Sequence, residues 1–196
     1  MPTLSRATGV LVNGLICCLA VGLLFQNVVL VKQNRDLRMT LAPRSTLSSP
    51  LSHLIALNMD GARADIRPPV ERGGKLVIIT MSPFCPFCRA SKAGWVALTT
   101  ALMQKGKWNV VWVSRESVAS TRRYCETNGI PLQNVFADAT HQSYRELALD
   151  AVPNMVVVDH DGAVQRTWSG GLNPERSKQM SEYFGVPYGT FGAPGN

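Results

Sequence analysis

From Thr8 to Val31 the chain runs TGVLVNGLICCLAVGLLFQNVVLV without one charged side chain. Twenty-four residues at 1.5 Å each make a helix of about 36 Å, enough for a hydrocarbon core about 30 Å thick. The pattern predicts a transmembrane anchor over residues 8–31, after a short N-terminus at 1–7. The run is longer than the apolar stretch of a signal peptide and offers no small-residue cleavage site, so the anchor is expected to stay attached. Cys17 and Cys18 read as small hydrophobes within it. Residues 32–50 then change character. Pro43, Ser45, Thr46, Ser48, Ser49 and Pro50 favour a linker.

Beyond residue 50 the apolar positions come in short, regular blocks. Asp60-Gly61 stands between two alternating stretches and predicts a hairpin. KLVIITM (75–81) and NVVWVS (109–114) are continuous apolar runs rich in β-branched residues, as in strands buried on both faces. Helical stretches are expected from Pro86 to about Lys105, over 117–129, within HQSYRELALD and from about Pro174 to Phe184. NVFAD and VPNMVVVD supply two more strands, and Asp161-Gly162 turns the second into AVQRTWSG. Strands and helices alternate first and a hairpin and helix follow, which predicts an α/β domain with a mixed sheet over 51–185. The Gly- and Pro-rich residues 186–196 are expected to form a flexible tail.

Charge changes this picture only a little. The formal net charge is +7. The first fifty residues hold five basic side chains against Asp36 alone, so much of the excess flanks the anchor. The folded part has no cluster of Lys and Arg interleaved with stacking aromatics, and no nucleic-acid partner is expected. Arg122 and Arg123 read as a solvated helix face. Lys32, Arg35 and Arg38 after the anchor would by themselves keep the domain in the cytoplasm, yet long C-terminal domains are translocated regardless of charge.

The candidate chemistry lies in SPFCPFC, residues 82–88. A zinc site wants four ligands, and the remaining cysteine of the domain, Cys125, and the three histidines are scattered. No metal and no cofactor are expected. A bond between positions three apart closes too small a loop to stabilise a domain of this size. Disulfide exchange fits better. Cys85 follows a buried strand and opens a helix, where unpaired N–H groups and the macrodipole favour a thiolate, the form that attacks disulfides. Pro86 suits the first helical turn. Cys88, one turn deeper, can resolve a mixed disulfide at Cys85. Cys125 reads as a half-buried helix residue. A second redox role for it would draw on Arg122 and Arg123 to lower its pKa.

LVIITMSPFCPFC resembles the central strand and active site of thioredoxin-like proteins, and LALDAVPNMVVVDHDGAVQRTWSGGL resembles their helix, cis-proline strand, turn and last strand. The resemblance spans roughly residues 54–184. It implies a three-layer thioredoxin-like fold, a cis peptide at Val152-Pro153 beside the cysteines, and substrate binding by Val152, Pro153, Phe84, Pro86 and Phe87. With an anchor in front, the chain is similar to membrane-tethered TlpA-like redoxins. SPFCPFCRA, RRYCETNGIP, AVPNMVVVDHDG and GGLNPERSKQMSEYFG look like the MauD branch, methylamine-utilisation accessory proteins that handle disulfides. The implied setting is the bacterial inner membrane with the domain on the periplasmic side, acting on protein thiols and disulfides together with a membrane or periplasmic redox partner.

Two departures stand out. Phe84 replaces the tryptophan usual before the first cysteine, and Ile79 stands where a buried acid moves the resolving cysteine's proton. Two other functions are open on this scaffold. A peroxiredoxin-like thiol peroxidase would use Ser82, three residues before Cys85, but Ile78 replaces its proline. A non-enzymatic assembly or chaperone module would bind peptide without needing the cysteines.

Overall fold

The computed structural model describes residue 14, residues 16–31 and residues 50–192. The chain divides into two units, Met1–Ala42 and Pro43–Asn196. In the first, residues 16–31 are helical with every side chain exposed. No helix among the described residues is long and apolar enough to cross a membrane. Residues 8–13 and 15 of the expected anchor, and residues 32–49 of the linker, lie outside the described residues.

The second unit is built on a seven-stranded sheet. Its strands are β1 (Leu54–Asn58), β2 (Arg63–Ile66), β3 (Lys75–Met81), β4 (Trp108–Ser114), β5 (Val135–Ala137), β6 (Asn154–Asp159) and β7 (Val164–Ser169), in the order β2-β1-β5-β4-β3-β6-β7. β4 runs parallel to β3 and β5, and every other pairing is antiparallel. The expected mixed sheet is therefore present. The helices are α1 (Pro86–Gln104), α2 (Val118–Thr127), α3 (Gln142–Glu146) and α4 (Pro174–Phe184).

The central strand shows why the sequence builds layers. Side chains alternate across a sheet, so Val77, Ile79 and Met81 of β3 enter one core with Trp95, Leu98 and Leu102 of α1 and Met180 and Phe184 of α4. Leu76 and Ile78 enter the other, with Tyr144 of α3, Leu147, Val111 and Val156. Both faces of β3 are covered, which is why its run is unbroken by polar residues. Helix ends follow local chemistry. Ser117 caps α2 by accepting from the Ser120 N–H at 3.3 Å, and Asn173 caps α4 by accepting from Arg176 N–H at 2.8 Å. Gly185 ends α4 in the left-handed region at φ 61°.

The expectation of a flexible tail from residue 186 is corrected for residues 186–191. Val186 and Phe191 are buried in the first core, and Tyr188–Phe191 form a 3₁₀ turn. Two apolar side chains at this spacing outweigh the Gly/Pro composition. The seat for them is Gly94 of α1, where an added Cβ would lie 2.8 Å from the Phe191 carbonyl oxygen and 2.6 Å from Leu172. Residues 193–196 lie outside the described residues.

Candidate active site

β3 delivers the chain to the reactive turn. Ser82 O accepts from the Cys85 N–H at 3.1 Å, closing Ser82–Cys85 into a tight bend. Cys85 is the N-cap of α1, with extended backbone, and Pro86 occupies the first helical position. The first turn of α1 holds no acidic side chain. The Cys85 sulfur accepts the Cys88 N–H at 3.4 Å. A sulfur thus takes the place usually held by a serine or aspartate oxygen at a helix start.

The other side of Cys85 meets the turn before β6. Its thiol donates to the Val152 carbonyl at 3.6 Å. The Val152-Pro153 peptide is cis, as the resemblance implied. Pro153 is buried and its carbonyl accepts from Gly170 N–H at 2.7 Å. Asn154 N–H donates to Thr80 Oγ1 at 3.0 Å, tying the same turn to β3. Gly171 lets the loop after β7 close on α1, since a Cβ there would lie 2.9 Å from Ser91 Oγ and 3.3 Å from the Phe87 carbonyl oxygen.

The two cysteines differ sharply in access. Cys85 is half-buried and Cys88 is 3% exposed. Cys88 shares its core with Ile79, Met81 and Trp95. Burial pushes its thiol up to about 12; the Ser82 N–H, which donates to its sulfur at 3.5 Å, opposes this, and the adjoining Cys85 adds to it. Phe84 and Phe87 are 70% and 66% exposed, and Pro86 is exposed between them. The structure sets Cys85 against both Cys88 and Val152, the residue before Pro153, while Phe84, Pro86 and Phe87 stand exposed around Cys85 in the same bend.

Two residues of the site were not assigned a role in this chemistry beforehand. Ser82 donates its hydroxyl to Glu116 Oε1 at 2.8 Å and accepts the Phe84 N–H at 3.2 Å. Glu116, just after β4, therefore braces the bend that carries Cys85 while Ser82's own N–H faces Cys88. Ser82 showed in the sequence only as a peroxidase-like position, and Glu116 follows a strand with nothing in its spacing to mark it.

Cys125 belongs to the core. It is 0% exposed, and burial, with a smaller push from Glu126, raises its thiol to about 11. The neighbouring arginines do not activate it. Arg122 is drawn to the Met59 carbonyl, Asp60 and Glu126.

No family model matches the sequence, and no curated protein matches it. Solved structures do match. A secreted Mycobacterium tuberculosis disulfide oxidoreductase homologous to E. coli DsbE is 17% identical with a TM-score of 0.53, over 67% of this chain and 94% of that one. A thiol:disulfide interchange protein of the thioredoxin family from Chlorobium tepidum is 18% identical with a TM-score of 0.54, over 69% and 94%. StoA from Bacillus subtilis is 14% identical with a TM-score of 0.50, over 66% and 96%. At these identities the likeness is one of fold, and with the sheet order and helix layers it makes the second unit a thioredoxin-like α/β domain with a mixed sheet.

Proposed function

We propose that this chain is a membrane-anchored thiol–disulfide oxidoreductase that exchanges disulfides with extracytoplasmic proteins through Cys85 and Cys88. One observation carries the reading: a half-exposed sulfur at a helix N-cap, with a buried thiol one turn deeper and a Val-Pro turn closing the other side. The Cys85 thiolate attacks a partner disulfide. The partner's S–S bond breaks as a mixed disulfide forms, and the leaving sulfur takes up a proton. Cys88 then gives up its proton and attacks Cys85, and the second partner sulfur leaves as a thiol. The partner gains two electrons and Cys85–Cys88 becomes a disulfide; run backwards, the same steps oxidise a partner. Val152, Pro153, Phe84, Pro86 and Phe87 form the surface on which the partner lies.

The anchor reading rests on the uncharged run 8–31 and on the helix of residues 16–31, whose apolar side chains are exposed. It places the chain in the bacterial inner membrane with the domain outside, where disulfides persist. The TlpA-like and MauD-like motifs support that setting. Ser82 does not support the peroxidase alternative, because its hydroxyl is committed to Glu116. The test is a Cys88→Ser chain, which is expected to accumulate mixed disulfides through Cys85 in the intact cell. A folded Cys88→Ser protein with no trapped partner overturns the reading.

A further inference from the structure

An open groove of about 440 Å³ begins at the reactive bend, at Pro83 and Phe84, and continues along α2 past Ser120, Arg123, Tyr124 and Asn128. Its charge is one-sided. Arg123 lines it and makes no ion pair among the described residues. Lys92 reaches the groove wall through Asn128 Oδ1 at 2.6 Å. Arg89, on the first turn of α1, acts on the Tyr124 phenol from the active-site side. Of the nearby acids, Glu126 and Asp60 pair with Arg122, and Glu116, which is not among the lining residues, accepts from the Ser82 hydroxyl and keeps its charge. Pro83 and Phe84, the two residues before Cys85, line the groove, so it adjoins the exposed cysteine.

We infer that this groove selects partner proteins carrying an acidic, extended segment next to the reacting cysteine, with Arg123 as the specificity-determining cation. The inference deepens the oxidoreductase reading and rests on it. A partner sulfur at Cys85 puts its neighbouring residues over Phe84 and into the groove, where carboxylates meet Arg123, the one charged side chain that lines it, with Lys92 at the wall. Opposite charge raises encounter rates and sorts partners more than it adds affinity.

The experiment uses the reduced full chain in non-ionic detergent. Its probes are three symmetrical peptide disulfides, acetyl-Gly-Cys followed by three Glu, three Ser or three Lys residues. Reduction rates are normalised to those with dithiothreitol, which removes differences in intrinsic reactivity. The Glu peptide is expected to react about tenfold faster than the Ser peptide at low ionic strength. That ratio should shrink to within about twofold in 1 M salt, where the screening length is about 3 Å. Arg123→Gln should lower the Glu-to-Ser ratio and Arg123→Glu should bring it below one. Equal normalised rates for the three peptides, or a ratio unchanged in both variants, overturns the inference alone. Failure to reduce any of the three overturns the oxidoreductase reading and this inference with it.

Discussion

The Cys88 amide N–H lies 3.4 Å from the Cys85 sulfur, so the resolving residue's own backbone helps hold the nucleophile. Its side chain points into the core and is 3% exposed. From this asymmetry follows an order of labelling. Under native conditions iodoacetamide should modify Cys85 first, with Cys88 and Cys125 reacting only after denaturation. Peptide mass mapping of the alkylated domain checks this; early labelling of Cys88 would contradict the geometry.

The raised Cys88 thiol predicts the pH dependence of the second step. With its pKa near 12, the attacking thiolate is scarce at neutral pH. Resolution of a mixed disulfide at Cys85 should therefore speed up by about tenfold per pH unit from 7 upward, as thiolate fraction does. Rapid acid quench of a preformed mixed disulfide, read by mass, measures the slope.

The same shift is linked to stability. Cys88 and Cys125 both ionise at higher pH folded than unfolded, from an ordinary value of 9 to about 12 and about 11. Their contribution is full below pH 9 and is lost as pH rises through those folded values. The melting temperature of the reduced domain should thus fall between pH 9 and 11. Cys125→Ala should make that fall shallower.

Cys125 is otherwise a packing residue. Cys125→Ser should keep disulfide exchange at the wild-type rate while losing about 1–3 kcal/mol, because a hydroxyl replaces a fully buried sulfur. Turnover and urea denaturation of the same preparation separate the two outcomes.

Glu116 is a positioning residue. Glu116→Ala leaves Ser82 without its acceptor and frees the bend that presents Cys85. The rate of mixed-disulfide formation should drop several-fold, and Glu116→Gln, which can still accept, should recover most of it. Stability should change by no more than about 1 kcal/mol, since the bond is only partly buried. Stopped-flow exchange with a small disulfide gives the rates.

Much of this was legible in the sequence because the informative signals are local. KLVIITM needs no partner to show that both its faces are covered, and Pro174 and Gly185 mark helix ends by their own conformational limits. The dithiol was legible because strand, cysteine, proline and cysteine occur in one stretch. What escaped was non-local. Glu116 meets Ser82 across 34 positions, and the groove exists only because α2 packs beside the reactive bend. The tail misled for a related reason. Its composition is that of a loop, while Val186 and Phe191 become core residues only against Gly94 and α4.

The seat at Gly94 has a consequence for truncation. Gly94→Ala would gain about 1 kcal/mol of helix propensity, yet its methyl would collide with backbone at Phe191 and should lower stability overall by about 1–3 kcal/mol. The helix that displays Cys85 is clasped by the turn at Tyr188–Phe191, far along the chain from it. A chain cut before residue 186 would keep every residue of the site yet lose the buried Val186 and Phe191 that back α1, so its dithiol would stand on a loosened helix.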